Sequence, residues 1–141
     1  MINIFAVFLG GGLGCVLRYI VALSSKFLLN NFFANPSENI VQNTVSILLK
    51  TVLATFVVNI IGSFIIGFVF GMYLKRPFSN SVKLALTTGF CGGLTTFSTF
   101  SYESYELLKN GSYILGLSYI VLSFVVCIVF AGLGVYVAEH V

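Results

Sequence analysis

The thirteen residues from Gly89 to Ser101 read Gly-Phe-Cys-Gly-Gly-Leu-Thr-Thr-Phe-Ser-Thr-Phe-Ser and interrupt one of the chain's hydrophobic segments. Three glycines and five Ser or Thr residues occupy this stretch, a composition that fits poorly with an ordinary membrane helix. Backbone that leaves the helix at membrane depth is tolerated only where protein buries it or it lines a wet cavity. The stretch therefore limits the folds open to the chain and is the first candidate for function.

Its surroundings supply the membrane. Charged residues make up 8% of the chain and hydrophobic ones 58%, against a usual charged share of about 25%, and the mean hydropathy is +1.06. The 141 residues accommodate four helices of roughly 20 residues, each long enough for a hydrocarbon core about 30 Å thick. The expected fold is an all-α membrane protein, one domain over residues 1–141, with four transmembrane helices per subunit and the third broken near mid-membrane. A net charge of +3 is scattered without a basic run, so nucleic acid has no footprint here. Cys15, Cys91 and Cys127 all lie in apolar segments, without a Cys-x-x-Cys pair or a nearby His, and read as packing residues. The amino terminus lacks the basic flank of a signal peptide, so the first segment is expected to be a retained helix.

That first segment, about Ile4 to Leu23, contains Gly10 and Gly14 at a spacing that lets another helix approach closely. A dinucleotide fingerprint would need a third glycine where Cys15 stands and a preceding strand. Arg18, inside the segment, costs at least ~2.5 kcal/mol near a bilayer centre unless it is paired or wet. It lies only ~8 Å from the segment's end, so snorkelling to the interface and an anion-attracting vestibule both remain open. Residues 24–50 are mixed, with Asn30, Asn31, Asn35, Pro36 and Glu38 marking a loop.

A second span, about Thr51 to Leu74, stops before Lys75-Arg76-Pro77 and carries Gly67 and Gly71 as a further close-contact pair. Asn59 sets an amide near its middle, where an unpaired polar group costs several kcal/mol. Either an interhelical hydrogen bond or donation to a passing anion answers that cost. The third segment, about Val82 to Leu107, is expected to break near Cys91 to Leu94 and to resume around Thr95 or Thr96. Such a break offers free carbonyls from one half and free amides from the other, coordinating ions without charged side chains. Glu103 and Glu106 lie one turn apart and read as solvated carboxylates at the membrane edge, and Asn110-Gly111-Ser112 reads as a turn. In the fourth segment, about Tyr113 to Val137, Gly116, Tyr119, Ser123, Cys127, Ala131 and Gly134 form a small or polar stripe. The stripe is either a packing seam or a column of hydroxyls that hands on an ion. There is no Ser-His-Asp set, metal cluster or phosphate loop, and His140 lies in the tail, so enzymatic activity has no support.

Four spans place the second loop and both termini on one side of the membrane. Lys75, Arg76 and Lys83 then oppose Lys26, Lys50 and Lys109, with Arg18 left within the first span. Without a Lys/Arg bias, insertion in both orientations and an antiparallel dimer are expected. Such a dimer is an inverted repeat made from two chains, with its site near midplane on the two-fold axis.

The sequence resembles the Fluc fluoride channels. The resemblance rests on Gly11-Gly12-Leu13-Gly14 with Arg18-Tyr19, allowing one spacing difference, on the Asn59 to Gly67 pattern, and above all on Gly89 to Phe100. It implies an antiparallel dual-topology homodimer in a bacterial plasma (inner) membrane, with two narrow fluoride-selective pores and a central structural sodium ion. Fluoride would leave passively, protecting the cell. By matching positions, the main-chain carbonyls of Gly92 and Thr95 from both subunits would bind the sodium, Phe97 and Phe100 would line the pores, and Asn59 would donate to the ion. Tyr119 and Ser123 would lie on the polar track of the fourth helix, where Cys127 replaces an expected hydroxyl. Arg18 would sit near the vestibule. Two rivals compete: a proton-coupled efflux transporter of similar size, which needs a carboxylate deep in a span, where none of the four acidic residues is expected, and a non-transporting membrane subunit, which leaves Gly89 to Ser101 unexplained.

Overall fold

The structure is a computed structural model that describes residues 1–32 and 40–141, with side chains at 1–25, 27 and 51–141. Every element is helical: α1 (Ile2–Phe32), α2 (Ile40–Lys75), α3 (Asn80–Leu84), a π-helical segment (Ala85–Cys91), α4 (Gly92–Leu94), α5 (Phe97–Lys109) and α6 (Tyr113–His140). Both α1 and α2 run beyond the expected spans, because the adjoining residues contain neither Gly nor Pro to stop a helix. Asn30 and Asn31 belong to α1, whereas Asn35, Pro36 and Glu38 lie outside the described residues.

Among the described residues three helices are long and apolar enough to cross a membrane, at Ile2–Ser25, Thr51–Lys75 and Tyr113–His140. The passage between α2 and α6 is divided. It stays helical through Leu94, past the expected point of interruption, and Thr95 (φ −81°, ψ 157°) and Thr96 (φ −149°, ψ 118°) then run extended before α5. Thr96 caps the new helix, its Oγ1 accepting the Thr99 N–H at 3.2 Å. At the far end Gly111 adopts φ 77° in the turn read from Asn110-Gly111-Ser112.

Glycines set the spacing of the helices. The most extensive packing pairs α2 with α6, followed by α1 with the π-helical segment. A Cβ on Gly10 would run into the Ala85 carbonyl, and one on Gly14 into the Phe90 carbonyl. On the other seam, Gly67 faces the Ala131 carbonyl and Gly134 the Phe64 carbonyl in the same way. The spacing read from Gly10/Gly14 and Gly67/Gly71 thus corresponds to backbones in direct contact.

The outer surface is apolar, unlike that of a water-soluble protein, and polar side chains share the interior with hydrophobic ones. Phe5, Phe8, Leu13, Val16 and Ile20 of α1 and Val121, Leu122, Val125 and Ile128 of α6 are exposed, while Thr55, Thr87, Thr96, Glu103, Ser104 and Ser123 are buried. Hydrocarbon is the surrounding that satisfies this arrangement, so the chain is a membrane protein.

Candidate functional site

The polar interior converges on the extended pair Thr95–Thr96. Thr95 ends the helical ladder, its N–H reaching the Cys91 carbonyl at 2.9 Å and its Oγ1 the same carbonyl at 2.8 Å. From α1, Arg18 Nη1 donates to the Thr95 carbonyl at 3.2 Å, and Nη2 approaches Cys15 Sγ at 3.7 Å. From α2, Asn59 accepts the Thr96 N–H on Oδ1 at 2.8 Å and donates from Nδ2 to the Thr96 carbonyl at 3.2 Å. Arg18 therefore turns inward to a main-chain partner, which answers its cost in the span. Asn59 makes an interhelical hydrogen-bond pair and keeps one amide hydrogen uncommitted to Thr96.

Two cavities flank this pair. One, of about 580 Å³, is lined by residues that include Asn59, Gly92, Thr95, Phe97, Phe100 and Ser123. It brings six of the eight expected site residues together. The other, of about 320 Å³, is lined by Cys15, Arg18, Tyr19, Thr55, Thr99 and Glu103 among others. Thr96 borders both.

The phenylalanines differ. Phe97 is 70% exposed, whereas Phe100 is 7% exposed and belongs to the core with Leu107 and Tyr119. Phe100 meets the Tyr119 ring at 5.1 Å and presents a T-shaped contact to Phe124 at 5.9 Å. Phe100→Ile is accordingly expected to cost about 2 kcal/mol, through lost area and ring contacts, and more than Phe97→Ile. Thermal unfolding of the two purified variants measures that difference.

Ser123 is 7% exposed, and its Oγ is a buried polar atom with no hydrogen-bond partner among the described residues. Such a group costs on the order of 1–3 kcal/mol to bury, so an unpaired one invites a functional account.

Glu103 corrects the sequence reading. Rather than a solvated carboxylate it is 3% exposed, accepting from Thr55 Oγ1 at 2.8 Å and from Tyr119 Oη at 2.9 Å. Pairing it with Glu106 by spacing obscured a second pattern. Phe100, Glu103, Ser104 and Leu107 recur at three and four residues and are the buried face of α5, so Glu103 lies on the helix's inner stripe. Glu106 does remain peripheral, with Lys109 at 3.7 Å. Thr55 and Tyr119 both belong to helices long and apolar enough to cross a membrane, so two spanning helices hold Glu103 inside the bundle. Tyr119 thus directs its hydroxyl at a carboxylate, and Cys127 borders the larger cavity.

Comparison with known proteins places this architecture. A family profile described as "CrcB-like protein, Camphor Resistance (CrcB)" matches residues 5–135. A protein of Gloeothece citriformis named fluoride-specific ion channel FluC is 40% identical over 140 residues, covering 99% of each chain. Proteins of the same name are 37% identical in Phocaeicola vulgatus (99% of this chain, 100% of the relative) and 35% identical in Escherichia coli O1:K1 (96% and 93%). Since the profile spans nearly the whole chain and these relatives match it end to end, the chain belongs to the CrcB-like protein family.

Proposed function

We propose that this chain is a fluoride-specific ion channel and not an enzyme, conducting fluoride passively out of a bacterial cell across its inner membrane and so conferring resistance to it. The relatives' names support the ion, and the observation that carries the chemistry is the unpartnered Ser123 hydroxyl beside Phe97, Phe100 and Asn59. Fluoride is small and strongly hydrated. Stripping its water without replacement costs on the order of tens of kcal/mol, so a pathway must present hydrogen-bond donors along its length. A free hydroxyl on Ser123 and the remaining amide hydrogen of Asn59 are such donors. Ring edges of Phe97 and Phe100 add the positive part of the quadrupole without the tight grip of a full charge. Arg18, bordering the smaller cavity with Tyr19, supplies positive potential at its mouth.

In this reading two copies associate antiparallel, the larger cavity becoming enclosed by the partner. Gly92 supports it: a Cβ there would meet only the Thr87 carbonyl oxygen at 3.9 Å, so packing within the chain does not require a glycine at this position. The same reading puts a sodium ion between the copies. Main-chain oxygens, hard ligands for a hard cation, are the donors in this reading. Gly92 belongs to the last turn before the break, where helical carbonyls lack partners. The Thr95 carbonyl accepts from Arg18 and retains a second lone pair. When bound, the ion supplies positive charge that raises the local potential for anions.

Purified protein reconstituted in liposomes, with an ionophore balancing charge, is expected to release fluoride rapidly and chloride negligibly. Equal rates for both, or no fluoride release, would overturn the proposal. Ser123→Ala is expected to slow fluoride release about tenfold, the loss of one donor, while leaving the unfolding midpoint unchanged or raised.

A further inference from the structure

We infer that Asn59 is a positioning residue whose side-chain amide holds the helix break open by taking the Thr96 N–H that would otherwise close the next helical turn. In an α-helix each N–H bonds the carbonyl four residues earlier. That ladder runs as far as Thr95, whose N–H reaches the Cys91 carbonyl at 2.9 Å. The next rung would join the Thr96 N–H to the Gly92 carbonyl. Instead the Thr96 N–H points to Asn59 Oδ1 at 2.8 Å, and Asn59 Nδ2 returns a bond to the Thr96 carbonyl at 3.2 Å. One planar amide thereby replaces a helical partner on both sides of the same residue, as a neighbouring strand would. Thr96 answers with φ −149° and ψ 118°, the dihedrals of a strand residue.

The consequence falls on Gly92. Deprived of its helical donor, the carbonyl of Gly92, a residue that lines the larger cavity, is left available. For the sodium site this inference rests on the proposed function; the clamp itself does not. Two further contacts share the work of fastening, Arg18 to the Thr95 carbonyl and Thr99 N–H to Thr96 Oγ1, but neither engages the Thr96 N–H. Among the described residues, Asn59 supplies the side chain that takes that N–H.

Hydrogen exchange on the intact purified protein, with fragmentation that resolves the Thr96 amide, tests the clamp without measuring transport. Asn59→Leu keeps the bulk and removes both hydrogen bonds, so the Thr96 amide is expected to exchange about tenfold faster while amides of α1 and α6 are unchanged. Asn59→Asp keeps an oxygen acceptor in place and is expected to restore the slow exchange, even where its charge stops fluoride conduction. Equal Thr96 exchange in the wild type and Asn59→Leu would overturn the inference. So would an aspartate variant whose Thr96 amide has lost the slow exchange of the wild type, and this second arm decides the matter if Asn59→Leu does not fold. The sodium consequence has its own readout, the rise in unfolding midpoint when sodium chloride replaces choline chloride. That rise is expected to vanish in Asn59→Leu and persist in Asn59→Asp. Persistence in both would refute the link to Gly92, whereas no rise in the wild type would refute the sodium reading and leave the clamp to the exchange result.

Discussion

Gly14→Ala is expected to lower the stability of the folded chain by about 3 kcal/mol or more, beyond the usual cost of overpacking, while Gly12→Ala, two residues away, is expected to be silent or mildly stabilising. A methyl group at position 14 would overlap the Phe90 carbonyl and come within 2.8 Å of the Leu94 nitrogen and 3.1 Å of the Gly93 carbonyl carbon. All three atoms are main chain, so no rotamer change relieves the overlap. α1 must back away from the π-helical segment, and the seam that Gly10 and Gly14 share with it opens along its length. At Gly12 nothing lies within 4 Å. Both substitutions gain the same helix propensity, about 1 kcal/mol over glycine. Their difference in unfolding midpoint therefore isolates the backbone contact.

The second large effect concerns Glu103. Removing two of its donors together, Thr55→Val with Tyr119→Phe, is expected to cost about 3–5 kcal/mol, the range for stripping a buried charge of its partners. Each single variant is expected to cost about 1.5–3 kcal/mol, as for a hydrogen bond to a charged group. Because both donors bind one carboxylate, at 2.8 and 2.9 Å, the two losses are expected not to add. A double-mutant cycle on thermal unfolding measures the coupling. Strict additivity would show that the two hydroxyls act independently and that Glu103 is better solvated than its 3% exposure indicates.

The helical passes were legible in the sequence because hydropathy and glycine spacing are local signals. Gly10, Gly14, Gly67 and Gly71 announced where backbones would touch, and the Gly89 to Ser101 composition announced an interruption. The helix gives way at Thr95 and Thr96, just past the Cys91 to Leu94 stretch expected to break. Glycines at 92 and 93 suggested it, yet glycine tolerates a helix, and the decisive atom is an amide on α2. Asn59 and Thr96 are 37 positions apart, and Arg18 and Thr95 are 77 apart, distances at which local pattern carries nothing. The π-helical segment left no compositional mark at all. Glu103 is the opposite case, for its place on the Phe100–Leu107 stripe is readable in the sequence beside its competing one-turn spacing to Glu106.

The extended pair Thr95–Thr96 also has a consequence for biosynthesis. A passage that contains Glu103, Glu106 and a run of hydroxyls partitions poorly into lipid by itself, since a single acidic residue at mid-span costs about 2.5–3.5 kcal/mol on insertion scales. Arg18, Thr55 and Asn59, which satisfy its polar atoms, all precede it in the chain. They are already synthesised when Gly89 to Ser101 leaves the ribosome, and only Tyr119 arrives afterwards. The order of the chain thus lets its least membrane-compatible segment enter against helices already made to receive it.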